Sequence, residues 1–262
     1  MGKTIIMIHG MWGSGSYWEN YAKYFEERGY RCIRPTLRFH DMNPQETPDP
    51  RLGTTSLLDY ASDLEKQILE LKEAPILMGH SMGGLLAQIL GSRGLARALV
   101  LLTPASPAGI IALKPSVIRS FWSMLMRWGF WRKPGRQKFE EASYSMLHLL
   151  PVEERKKTFE RFVYESGRAA SEIGLWLFDR RKAAAVDGSK VTCPVLVIGA
   201  VEDRITPVSV VRQVAEKYGG KTTYKEFAGH AHWVVAEPGW EEIAKYVDEW
   251  LSQIGNDTQH VT

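Results

Sequence analysis

Ser81 stands at the centre of Gly79-His80-Ser81-Met82-Gly83. Before it, Pro75-Ile76-Leu77-Met78 has the character of a short buried strand. After it, Gly84-Leu85-Leu86-Ala87-Gln88-Ile89-Leu90 has that of a helix. A Gly-x-Ser-x-Gly pattern at a sharp strand-to-helix turn forces its middle residue into strained backbone with the side chain presented outward. The flanking glycines let strand and helix approach more closely than a Cβ permits. The plain alternative is a glycine-rich turn without chemistry. The functional reading is that Ser81 is a nucleophile.

A serine hydroxyl is a weak nucleophile until a base takes its proton, and the base needs a third group to fix its tautomer. The acid candidate is Asp203, in Gly199-Ala200-Val201-Glu202-Asp203-Arg204-Ile205-Thr206-Pro207. It follows the apolar run 195–198 and precedes Pro207, a residue suited to the first position of a helix. A carboxylate there could reach an imidazole, cap the next helix or pair with Arg204; Glu202 is its neighbour and rival. The base candidates are the two histidines of Ala228-Gly229-His230-Ala231-His232-Trp233. A His-x-His pair also suits a metal, but no third ligand accompanies it at a suitable spacing, so no metal site is expected.

These residues need a frame that brings strand ends together. Apolar runs at 4–8, 31–34, 76–78, 98–102, 194–199 and 222–227 read as strands. Helical spacing of apolar residues marks 18–28, 57–71, 84–92, 208–218 and 240–254. Residues 38–53, with Pro44, Pro48 and Pro50, form a loop. Alternating strands and helices predict an α/β fold with a parallel sheet of about six strands, helices on its faces and ligands at the carboxyl strand ends. Each candidate residue lies just after a strand. Residues 104–190 contain no convincing strand and are expected to form a helical insertion. The domain reading is therefore a core of 1–103 and 191–255, a helical cap at 104–190, and a flexible tail at 256–262.

The chain resembles the α/β-hydrolase superfamily along essentially its whole length. The matching pieces are His9-Gly10 after the first strand, Gly79-His80-Ser81-Met82-Gly83-Gly84, Asp203 ahead of Thr206-Pro207, and the late Gly-x-x-His-Trp. In relatives, the catalytic histidine precedes Trp or another apolar residue, with Glu about five positions on and Pro soon after. His232-Trp233 followed by Glu237-Pro238 fits that pattern better than His230 does. The resemblance implies a Ser81–Asp203–His232 triad. It implies an oxyanion hole from the backbone N–H groups of Met11 and Met82. It gives His9 and His80 structural places near the site rather than the role of base. Many relatives begin with a β-hairpin that this chain has no room for, which favours six strands, all parallel. Many also carry a Gly-rich turn where this chain has Leu37-Arg38-Phe39-His40-Asp41, and His40 and Asp41 are read as loop residues.

The insertion opens with an aromatic, Met-rich stretch, Phe121-Trp122-Ser123-Met124-Leu125-Met126-Arg127-Trp128-Gly129-Phe130-Trp131. Most such residues must pack the insertion against the body; some would line an apolar substrate cleft. Trp12, Trp122, Trp128 and Trp233 are the expected substrate-contacting residues. The basic residues that flank the aromatics suit a solvated rim better than a membrane face, given a net charge of only +3.

Composition sets the remaining bounds. The 262 residues are 44% hydrophobic, enough for one large α/β domain. Near charge balance and the absence of a long basic stripe argue against nucleic-acid binding. Cys32 and Cys193 sit in or beside apolar runs, as buried thiols rather than a disulfide. The first apolar run is too short for a signal peptide, and no stretch reaches the roughly 18 apolar residues of a membrane span. A cytoplasmic protein is expected. The expected activity is cofactor-free cleavage of small carboxylic esters through an acyl-enzyme, failing at acid pH as the base protonates. Cleavage of C–C, thioester or lactone bonds, perhydrolysis, a lyase and a ligand receptor are the alternatives on the same fold. Oligomeric state is left open.

Overall fold

A computed structural model describes residues 3–257. Its elements run β1 (Thr4–Ile8), α1 (Glu19–Glu26), β2 (Arg31–Ile33), α2 (Leu57–Leu69), β3 (Ile76–His80), α3 (Met82–Gly91) and β4 (Ala98–Leu102). The segment that follows carries α4 (Pro115–Ser120), α5 (Trp122–Leu125), β5 (Pro134–Gly135), α6 (Phe139–Ser145), α7 (Val152–Glu160), β6 (Glu165–Ser166) and α8 (Gly167–Gly174). The chain then closes with β7 (Val195–Ala200), α9 (Val208–Glu216), β8 (Thr222–Phe227) and α10 (Trp240–Asp257).

Six strands form one sheet in the order β2-β1-β3-β4-β7-β8, and every neighbouring pair is parallel. Sequence explains that order. β3, β4 and β7 are buried along their whole length, as unbroken apolar runs in the middle of a two-faced sheet should be. The short β2 and the partly polar β8 take the edges, where a strand covers less core. The expected α/β fold with six parallel strands is what the chain adopts.

The insertion differs from the expectation in one respect. It is not wholly helical: β5 and β6 form a two-residue antiparallel ladder, Pro134 opposite Ser166 and Gly135 opposite Glu165. Strands this short, one beginning at proline, leave no alternating pattern in the sequence. At the other end, α10 runs through Asp257, so the expected tail at 256–262 begins inside a helix; residues 258–262 lie outside the described residues.

Buried polar contacts tie the insertion to the sheet body. Glu172 of α8 accepts hydrogen bonds from the Ser56 hydroxyl and the Leu57 amide, both at 2.8 Å, at the start of α2. Ser56 is also the N-cap of α2, in a reciprocal capping box with Asp59. Glu165 of β6 accepts from the Tyr60 hydroxyl and meets Nε2 of His40 at 3.0 Å. His40 donates from Nδ1 to the Arg38 carbonyl as well, so a proton on Nε2 would give an imidazolium whose charge faces Glu165. Burial works against that charge, but Glu165 outweighs it and raises the His40 pKa. The loop residue His40 is thus a buried strut between body and insertion. Asp41, its exposed neighbour, remains a loop residue.

Candidate active site

Strain concentrates at one edge of the sheet. Among the described residues, five non-glycine positions have positive φ, and four of them fall just after strands β1 to β4: Trp12 (60°), Phe39 (65°), Ser81 (54°) and Thr103 (40°). Residues in this region cost free energy and persist only where their surroundings hold them.

Ser81, with φ 54° and ψ −120°, joins β3 directly to α3. Its carbonyl accepts from Gly84 and Ala105 at 2.9 Å, and its amide donates to Leu102 at 3.1 Å, which pins the turn on both sides. The flanking glycines are required by contact. A Cβ on Gly79 would sit 2.2 Å from the Gly83 carbonyl oxygen, and one on Gly83 would sit 2.1 Å from that of Ile8.

Asp203 and His232 come together from loops after β7 and β8. His232 donates from Nδ1 to Oδ2 of Asp203 at 2.8 Å, and both side chains are buried. Oδ1 of Asp203 accepts from the Ile205 and Thr206 amides at 2.7 and 2.8 Å. The Thr206 hydroxyl lies 2.7 Å from Oδ2 and donates to it. Burial alone would raise the Asp203 pKa. The facing His232 and the hydrogen bonds from His232 and Thr206 outweigh it and hold the carboxyl below its ordinary value.

The rival residues are engaged elsewhere. His230 pairs with Glu237 through Nδ1 at 2.9 Å, and Glu202 accepts from the Gly229 amide. His80 donates from Nε2 to the His232 carbonyl at 2.8 Å. His9 donates from Nδ1 to the Gly10 carbonyl and accepts the Leu37 amide at Nε2, which fixes it as a neutral tautomer. Burial above all pushes the pKa of both His9 and His80 down to about 3.

Ser81, Met11 and Met82 share the wall of an almost wholly apolar cavity of about 210 Å³. Met82 is the first residue of α3, and an amide in that position has no partner inside its own helix. The side chains facing Ser81 come from the insertion, among them Phe121, Leu125, Ile173, Trp176 and Phe178. His232 and Asp203 do not line this cavity, but Thr206, bonded to Asp203, does. The Ser81 hydroxyl makes no hydrogen bond to His232 among the described residues.

Residues 5–245 match the model of the α/β hydrolase family. The chain belongs to that family. It is therefore an enzyme, of the hydrolase type. This α/β hydrolase is 24% identical to a non-heme chloroperoxidase of Kitasatospora aureofaciens, over 92% of this chain and 89% of the relative. Its fold is shared with a methylesterase from Arabidopsis, at TM-score 0.70 and 12% identity, over 95% of this chain and 99% of the other. A pyrethroid hydrolase from Sphingobium faniae matches at TM-score 0.69 and 18% identity, over 95% and 97%.

The four tryptophans expected at the substrate do not line the cavity of this hydrolase. Trp12 is buried and holds the insertion, donating from Nε1 to the Gly135 carbonyl at 3.1 Å. Trp233 is packed between Tyr17 and Phe162. Trp122 and Trp128 project to the surface, 55% and 86% exposed. Sequence showed an aromatic stretch but not which of its faces turns inward, because α4 and α5 are too short to establish a period. The tryptophan that lines the cavity is Trp176. Thr206 was visible only as part of a Thr-Pro pair; its bond to Asp203 needed the fold. His148, between α6 and α7, was also missed. Burial chiefly, then Arg204, lowers its pKa, and its buried ring nitrogens have no hydrogen-bond partner.

Proposed function

We propose that the protein is a serine hydrolase that cleaves small carboxylic esters with an apolar acyl or alcohol group. The observation that carries this reading is the buried His232–Asp203 pair at 2.8 Å beside a strained Ser81 that opens onto an apolar cavity. In this scheme His232 accepts the Ser81 proton at Nε2 as Oγ attacks the acyl carbon. Asp203 keeps Nδ1 protonated and stabilises the imidazolium. The amides of Met11 and Met82 hold the oxyanion. The alcohol leaves with the proton from His232, and water, deprotonated by the same ring, releases the acid from Ser81. No cofactor enters these steps.

The insertion 104–190 acts as a cap whose underside selects the substrate. The almost wholly apolar lining supports ester substrates with hydrocarbon groups over charged ones. A cytoplasmic setting belongs to the same reading and rests on the sequence pattern alone. The test is a panel of activated esters of increasing acyl length, with a lactone and a thioester alongside, run on the wild type and on Ser81→Ala. Ester turnover that depends on Ser81 and rises with acyl length supports the proposal. Equal turnover by Ser81→Ala contradicts it.

A further inference from the structure

Exposed apolar side chains are not scattered over this molecule. Of twelve large hydrophobic residues exposed among the described residues, nine lie at 111–128 and 177–178. Six of the nine, Ile111, Leu113, Ile118, Leu125, Leu177 and Phe178, line the Ser81 cavity as well, so they form its mouth. Trp122, Met126 and Trp128 extend the apolar surface outward from there, Trp128 with 86% of its surface exposed. Clustered exposure of this kind marks a surface made for contact.

Charge is distributed just as unevenly. Residues 104–139 contain seven Lys/Arg and no Asp or Glu, whereas the rest of the chain, with 26 Lys/Arg and 30 Asp/Glu, carries −4. Six of the seven are exposed, and Arg180, Arg181 and Lys182 come two to four residues after Phe178, past Asp179, which is itself paired with Arg168. None of these ten takes part in an ion pair among the described residues, although eleven ion pairs form elsewhere. Those with hydrogen bonds, such as Arg127 to the Pro134 carbonyl and Lys133 to the Trp128 carbonyl, meet neutral groups that leave the charge uncompensated. The nearby carboxylates are already engaged, Asp179 and Glu172 with Arg168 and Glu141 with Ser123, so an apolar patch with Trp, Phe and Leu flanked in sequence by unpaired cations is complementary to a bilayer surface of anionic headgroups over acyl chains. Among the described residues no helix is long and apolar enough to cross a membrane, so contact would be from one side.

We propose that this face docks on anionic lipid surfaces, with the cavity mouth pressed to the acyl layer so that apolar esters enter from the membrane. The substrate route rests on the esterase reading above; the docking does not. The reading of the basic flank as a plain solvated rim rested on the modest net charge of the whole chain, which hides the local excess of cations at 104–139.

The experiment is co-sedimentation of the full chain with phosphatidylcholine vesicles, with and without phosphatidylglycerol, at low and high salt. Binding at least tenfold stronger to the anionic vesicles, weakened by salt, is expected. Met126→Ser with Trp128→Ser, at exposed positions outside the cavity wall, should weaken it at least tenfold while leaving hydrolysis of a short soluble ester unchanged. Arg127→Gln with Lys133→Gln should remove most of the preference for anionic vesicles. Equal or no binding to both vesicle types overturns the proposal. So does a dimer in solution that these substitutions dissociate, because a second copy would then be the occupant. Sedimentation needs no turnover, so a failure here is separable from a failure of the Ser81 chemistry.

Discussion

His80 donates from Nε2 to the main-chain carbonyl of His232, at 2.8 Å and fully buried. The residue before the proposed nucleophile thus holds the loop of the proposed base, two strands away in the sheet order from β3 to β7 and one further to β8. Loss of a buried hydrogen bond of this kind costs about 1–3 kcal/mol. His80→Ala should therefore lower kcat by about 10- to 100-fold with KM little changed. Steady-state kinetics on a soluble ester measure it.

The acid's own partners carry a second prediction. Thr206→Val removes the hydroxyl that donates to Oδ2 of Asp203 and leaves its amide bond in place. A hydrogen bond to a charged group contributes about 1.5–3 kcal/mol, so kcat should fall by about 10- to 100-fold. Asp203→Asn should fall much further, by on the order of 10⁴-fold, since the ring loses its tautomer. Comparing kcat for the two variants checks the order.

Stability should drop as acid is added. His9 and His80 have folded pKa values of about 3 against 6.5 for the free side chain. Below pH 6.5 the unfolded chain binds protons that the folded chain refuses, so stability present at neutral pH is lost progressively between 6.5 and about 3. At pH 5 the loss is on the order of 2 kcal/mol for each ring. His40, with its pKa raised by Glu165, works the other way: its contribution is complete below the unfolded value and is lost as pH rises through the folded one. Urea unfolding between pH 7 and pH 5 should show the slope, and His80→Ala should reduce the loss over that range by about 2 kcal/mol.

The insertion's anchor is testable on its own. Glu172 is buried and receives the Ser56 hydroxyl, the Leu57 amide and the Arg168 guanidinium. Glu172→Ala strands these donors and should cost about 3 kcal/mol in urea unfolding.

The frame was legible in the sequence because a parallel sheet writes itself in apolar runs: the unbroken stretches at β3, β4 and β7 are both the strongest signals and the sheet's centre. Ser81 was legible because the close approach of Gly79 and Gly83 to neighbouring backbone leaves no choice of residue at those two positions. The choice of Asp203 and His232 over Glu202 and His230 came from the family resemblance, since each loop by itself offers two candidates and only the fold brings one pair together. The insertion was hardest. Its helices are short, its ladder is two residues long, and the inward face of the aromatic stretch is set by contacts with a body far away in sequence.

The central claim is that Ser81 is an activated nucleophile. Intact-mass and peptide mapping after treatment with a fluorophosphonate measures that directly. One adduct per chain, on Ser81, is predicted, with labelling slowed by on the order of 10³-fold or more in His232→Ala. No adduct, or an adduct on Ser81 formed equally fast without His232, would contradict the account.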